Sequence, residues 1–154
     1  MIEIVPYQPK YEEAFRELNK AWIEKYFTME QADHEILNNP DTYVIDKGGY
    51  ILVALDGEKP VGVCALIASE HEGYDYELAK MAVDSAYQGR GIGKQLGEAI
   101  IQLAKDLGAR NIFLESNTVL TTAINLYVTL GFKEITGIKT PYQRCNTLMA
   151  VELT

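Results

Sequence analysis

The 154-residue chain has 47% hydrophobic and 23% charged residues, ordinary proportions for a folded protein, which excludes a disordered or collagen-like chain. Its length suits one domain spanning residues 1–154 with room for a real core. Twenty-two acidic against 14 basic residues give a net charge of −8, which excludes a dedicated nucleic-acid binder on electrostatic grounds.

In chain order, Ile2 to Tyr7 reads as a short strand. Phe15, Leu18, Ala21 and Trp22 recur near helical spacing and predict an amphipathic helix over Tyr11 to Tyr26. A shorter helix is expected over Glu30 to Leu37, ending before Asn38-Asn39-Pro40. Residues 42–55 read as strand interrupted at Gly48-Gly49. The turn Asp56-Gly57-Glu58-Lys59-Pro60 then makes 50–55 and 61–69 a hairpin. A further strand is predicted from Tyr74 to Val83.

From there the chain alternates. Ile92, Leu96, Ile100, Leu103 and Leu107 share one face of a helix over Gly91 to Leu107, which Gly108 ends. Asn111 to Glu115 is a strand, Thr121 to Leu130 a helix stopped by Gly131, and Phe132 to Ile138 and Thr147 to Leu153 two last strands. The predicted fold class is mixed α/β, a single sheet of about seven strands with about four helices.

Charge divides unevenly along the chain. Residues 1–87 hold 17 acidic against 7 basic residues, a net of −10; residues 88–154 hold 5 against 7, a net of +2. The first half would suit a cationic partner and the second an anionic one, with two ordinary solvated surfaces as the competing reading. Cys64 and Cys145, the two cysteines, belong to no CxxC or Cys/His cluster, so neither a structural metal nor a disulfide scaffold is expected. The N-terminus lacks the basic start and long apolar stretch of a signal peptide, and no window approaches 18 uninterrupted apolar residues. The expected setting is a reducing cytoplasm, without a membrane partner.

The most informative segment is Gln88-Gly89-Arg90-Gly91-Ile92-Gly93-Lys94, between a predicted strand and a predicted helix. Glycine lets the backbone take unusual φ/ψ values and approach a ligand closely. Free N–H groups and the positive dipole end of a helix start attract an anion. Arg90 and Lys94 add charge, so the segment reads as a pyrophosphate cradle. It is not a Walker A loop, because Gln95 follows Lys94. It is not a dinucleotide fingerprint either, because the spacing is GxGxG rather than GxGxxG. A glycine-rich turn without a ligand is the competing reading.

Gln88-x-x-Gly91-x-Gly93, preceded by Leu78-Ala79-Lys80-Met81-Ala82-Val83, resembles the acetyl-CoA signature of the GNAT superfamily of N-acetyltransferases. The block Leu114-Glu115-Ser116-Asn117, followed by Ala123 to Gly131-Phe132 with Tyr127 near its end, resembles the family's second motif, and the order of elements agrees. The resemblance implies acetyl-CoA as co-substrate and no metal. It implies that backbone groups of Met81, Ala82 and Val83 bond the pantetheine arm and that N–H groups of Gln88, Gly89, Arg90, Gly91, Ile92, Gly93 and Lys94 hold the pyrophosphate. Asn117 is a further expected contact, although Leu120 stands where some relatives place an asparagine.

Acetyl transfer to an amine sets two proton problems: the amine is mostly protonated near neutral pH, and the departing thiolate benefits from a donor. By resemblance Tyr127 is the candidate general acid; its helical spacing with Ile124 and Leu130 leaves a plain packing role as the competing reading. Glu77 is the candidate base, acting directly or through a water and expected to share a strand face with Ala79, Met81 and Val83 near the cofactor; a substrate-binding or merely solvated carboxylate is the competing reading. His34 and His71 read as solvated. Trp22, Tyr74, Tyr76 and Tyr142 are candidates to line an acceptor site, where a ring face can hold a cation. The implied function is acetyl-CoA-dependent transfer to a small-molecule or peptide amine, with a cationic acceptor favoured by the acidic first half. The alternative is a catalytically silent acyl-CoA-binding or protein-interaction module. The sequence leaves a homodimer through the C-terminal strands open.

Overall fold

The computed structural model describes residues 1–153. Its elements are β1 (Ile2–Pro6), α1 (Glu12–Tyr26), α2 (Gln31–Asn38), β2 (Tyr50–Asp56), β3 (Lys59–Ala68), β4 (Tyr76–Val83), α3 (Ile92–Asp106), β5 (Asn111–Ser116), α4 (Thr121–Thr129), β6 (Lys133–Ile135) and β7 (Thr147–Glu152). The strands form one seven-stranded sheet in the order β1-β2-β3-β4-β5-β7-β6. Every neighbouring pair is antiparallel except β4 and β5, which run parallel because α3 carries the chain back between them. The mixed α/β architecture expected from the sequence is the one observed.

Helices cover both faces. On one, Ile92, Leu96 and Ile100 of α3 pack against Cys64, Leu66, Leu78 and Ile112, with Ile124, Tyr127 and Leu130 of the α4 segment at the margin. On the other, Phe15 and Ile23 of α1 and Leu37 of α2 pack against Ile51, Val53, Val63 and Ala65. Burying each such large apolar side chain is worth about 1.5–3 kcal/mol. The 3.6-residue stripe of α1 and α3 and the two-residue alternation of β2 are the sequence patterns that select these faces.

Two stretches differ from the sequence reading. Residues 41–45 form a π-helical turn rather than strand. Pro40 at its start has helical φ/ψ, and Val44 is fully buried in the α1–α2 core, a tertiary contact that overrides β propensity. The last hairpin is also shorter than expected, with β6 ending at Ile135 rather than Ile138.

One irregularity in β4 matters for the site. Leu66 faces Leu78, and Val63 faces Ala82, with a register shift between Val63 and Ala65. The extra residue falls at Lys80, the one non-glycine residue with positive φ (54°) among those described. Such a bulge reverses which face the later side chains take. Leu78, Met81 and Val83 therefore point toward α3, while Ala82 joins the α1–α2 core.

Candidate active site

β4 and β5 are paired only at Tyr76–Ile112 and Glu77–Phe113. Their closed end is tied by Asp75: its backbone N–H donates to Asn111 Oδ1 (2.9 Å), and its carboxylate accepts from the Arg110 backbone N–H (2.7 Å) and guanidinium (3.0 Å). Beyond Glu77 the strands part, and a cavity of about 530 Å³ fills the gap. Its walls come from the later half of β4, the start of α3, the end of β5, α4, α1 and residues 142–145.

The glycine loop forms one end of this cavity. Gly89 and Gly91 have φ of 82° and 79°, a region that disfavours any side chain. The first backbone bond of α3 runs from Gln95 N–H to Gly91 O (3.0 Å), which leaves the N–H groups of Ile92, Gly93 and Lys94 without intrahelical partners. A Cβ on Gly93 would stand 3.3 Å from Leu126 of α4, so glycine there also sets how closely the two helices approach. Gln88, Gly89, Gly91, Ile92, Gly93 and Lys94 all line the cavity, as do Met81, Ala82 and Val83. Arg90 is turned away: it is exposed, with its guanidinium 4.8 Å above the Tyr87 ring. Asn117 borders the cavity, but its amide donates to Arg144 O (2.7 Å) and accepts from Val119 N–H (2.9 Å), so it pins the local chain.

Tyr127 reaches the cavity from α4, its ring edge-on to Phe132 at 6.0 Å. Burial, with a smaller contribution from Cys64, pushes its hydroxyl above the usual phenol value. Glu77 reaches the cavity from the other face of the sheet. It pairs with Ile67, which packs into the α1–α2 core, so the bulge separates it from Met81 and Val83. The expected common face for these residues is thus incorrect: simple alternation fails across an inserted residue. Burial, then the nearby Glu115, pushes the Glu77 carboxyl up to about 8, against the opposing pull of Lys80.

A charged cluster that the sequence reading missed stands beside Glu77. Lys80 donates to Asp33 Oδ1 (2.6 Å) and to the Tyr142 hydroxyl (2.9 Å). Arg144 makes a two-pronged contact with Asp33 (2.5 and 2.6 Å) and lies 3.6 Å from Glu30. Glu30 also accepts from the backbone N–H groups of Gln143 and Arg144 (3.0 and 3.3 Å). These contacts fasten residues 142–145 to the start of α2. Burial alone would raise Asp33, but its bonds to Arg144 and Lys80 outweigh that and hold it at about 2. Burial lowers the Lys80 ammonium against the upward pull of Asp33. Lys80 was visible as a lone cation in an apolar strand, and Glu115 as a charge at the end of a parallel strand; nothing local marked Asp33.

Trp22 and Tyr142 line the cavity and Tyr74 and Tyr76 do not; His34 is exposed, and His71 packs edge-on against Phe113 at 5.4 Å. Among the described residues no helix is long and apolar enough to cross a membrane, and no group of three or more His, Cys, Asp or Glu is arranged to hold a metal ion.

A mixed sheet whose central parallel pair parts over a glycine-capped helix start is the frame of an acyltransferase of the GNAT type. Residues 10–132 match the Acetyltransferase (GNAT) family, and the chain belongs to it. It is 35% identical to N-acetyltransferase 8B of Rattus norvegicus, covering 60% of this chain and 43% of that protein. It is 30% identical to the N-acetylaspartate synthetase of Homo sapiens, covering 78% and 38%. The chain thus spans less than half the length of these curated relatives. A GNAT-family acetyltransferase from Staphylococcus aureus Mu50 has the same fold, with a TM-score of 0.89, 23% identity and complete coverage of both chains.

Proposed function

We propose that residues 1–154 form one acetyl-CoA-dependent N-acetyltransferase unit that acetylates an amine by direct attack. The observation that carries this reading is the parting of β4 and β5 beyond Glu77 and Phe113, which joins a donor-rich helix start to a half-buried carboxylate through one cavity. The cradle fits the cofactor: three free N–H groups, two glycines of positive φ, and a strand edge without a partner. Ile92, Gly93 and Lys94, with Gln88 and Gly89, would hold the pyrophosphate, and Met81 to Val83 the pantetheine amides.

Acetyl-CoA supplies the acetyl group as a thioester: an N–C bond forms, the C–S bond breaks, one amine proton ends on the sulfur and one is released. Glu77, whose raised affinity for a proton suits a base working near neutrality, takes a proton from the acceptor ammonium. The buried Tyr127 hydroxyl holds its proton until a thiolate forms beside it. Glu77 and Tyr127 enter from opposite faces of the sheet, so acceptor and cofactor would meet in the gap between the strands. The excess of carboxylates in the chain's first half supports a cationic acceptor, and two free thiols support a reducing, cytoplasmic setting.

Titration calorimetry of acetyl-CoA, repeated with Gly91→Glu, tests the cradle; thiol release with an amine panel tests transfer. Binding lost in the variant, together with thiol release by the native chain, is the expected result. Binding without thiol release from any amine would favour a silent acyl-CoA-binding module.

A further inference from the structure

We propose that Glu115 and Glu77 together form the receptor for the acceptor's ammonium group, and that the acceptor is a monoamine with an aromatic or branched apolar body and no carboxylate beside the nitrogen. This rests on the transferase reading above and deepens it.

The placement comes from the sheet. Glu77 is level with Phe113 across the last paired rung, and Glu115 lies two residues further along β5. It is therefore on the same face as Phe113 and Glu77. Both carboxylates line the cavity, one on each parting strand.

The charges around them are already matched. Lys80 and Arg144 are the two cations on this side, and both are spent on Asp33, with Arg144 also near Glu30. Those four groups sum to zero formal charge. Glu77 and Glu115 have no ion-pair partner among the described residues. Neither carboxylate has a side-chain hydrogen-bond partner among the described residues, although burial raises both. Burial prevails over the opposing pull of Thr140, His71, Lys80 and Arg144 and raises the Glu115 carboxyl. Two mutually repelling, partly buried carboxylates in one cavity are stabilised by one cation placed between them. One ammonium satisfies both, Glu115 holding the charge while Glu77 accepts the proton.

On the side reached from α1 and α2 the wall is apolar and aromatic. Trp22, Tyr26, Phe27 and Ile36 line it, and Ile67 lies beside Glu77. Such a surface matches a ring or a branched chain rather than a second charge. A carboxylate next to the nitrogen would meet Glu77 and Glu115, and no unpaired cation among the described residues stands on this side to receive it, Lys94 being at the glycine-loop end of the cavity. The acceptor chemistry thus differs from that in the name of the N-acetylaspartate synthetase relative.

The test uses the full chain with acetyl-CoA and three probes: 2-phenylethylamine, phenylalanine and aspartate. The first two differ only in the carboxylate. Thiol release gives KM and kcat, and calorimetry gives Kd for each probe directly. We expect 2-phenylethylamine to have a KM and Kd about tenfold or more below those of phenylalanine, and aspartate to be poorer still. In Glu115→Gln the amine KM rises about tenfold while the acetyl-CoA Kd holds, and Glu115→Asp recovers part of the loss. Phenylalanine or aspartate matching 2-phenylethylamine in the native chain would overturn the proposal without recourse to any variant. So would an amine KM unchanged in a folded Glu115→Gln. If acetyl-CoA binds but no probe releases thiol, calorimetry separates the two readings. Amine binding weakened by Glu115→Gln would support the receptor and count against transfer. Absence of amine binding would overturn the receptor.

Discussion

Glu77 and Phe113 form the last rung at which β4 and β5 face each other. Everything the site uses follows from that rung: above it the backbones are locked by Asp75, Arg110 and Asn111, and below it each strand offers unpaired backbone and side chains to one cavity.

Glu77 predicts a pH profile. A base held at about 8 is protonated below that value, so kcat/KM should climb about tenfold per pH unit and level off above about 8. Glu77→Gln should lose that limb and keep only the ionisation of the acceptor amine. Stability should move the opposite way. The folded chain binds the Glu77 proton more tightly than the unfolded chain, so its contribution is complete below about 4.5 and is lost as pH rises through about 8. Glu115, also raised, acts in the same direction, while Lys80 opposes it at Glu77. Urea unfolding at pH 5 and 8.5 should show a smaller loss in Glu77→Gln than in the native chain.

Tyr127→Phe separates chemistry from packing. The hydroxyl makes no hydrogen bond among the described residues, and the ring keeps its edge contact with Phe132. The unfolding free energy should change by less than about 0.5 kcal/mol, while kcat falls about 10²-fold or more with the acetyl-CoA Kd unchanged. An unaltered kcat would remove Tyr127 from the chemistry.

Asp33→Ala tests the charged cluster. It leaves the buried Lys80 and the half-buried Arg144 without their carboxylate, a loss of about 3–5 kcal/mol in denaturant unfolding. Because Asp33 is held at about 2 when folded, its stabilisation is present above about 3.8 and disappears as pH falls through about 2. The native chain should therefore lose stability over that acid range and the variant should lose less.

Gly49→Ala tests a position that contacts no part of the site. A Cβ there would stand 2.7 Å from Leu66 O and 2.8 Å from Val44 O, both backbone atoms that move only with their strand or turn. The expected cost is about 1–3 kcal/mol, read as a lower unfolding midpoint. Gly57→Ala is a useful contrast, since a Cβ there meets nothing within 4 Å and only the φ of 63° opposes it.

The sequence by itself determined the class of fold and one end of the site. Helical and strand periods are local, and so is the glycine spacing of 89, 91 and 93, which is why the α3 cradle and most elements were legible. The tertiary structure decided the rest. The bulge at Lys80 is one inserted residue, seen only in the folded chain as a register shift against β3 and a positive φ, yet it sends Glu77 and Met81 to opposite faces. Val44 forms a π-helical turn because a buried contact outweighs its β preference. Asp33, Lys80, Glu115 and Arg144 lie far apart in the chain and meet only once α2, the parted strands and residues 142–145 are packed together. Charge pairing and desolvation depend on distance in space, which local patterning does not encode, so the acceptor side of the cavity was decided by the fold.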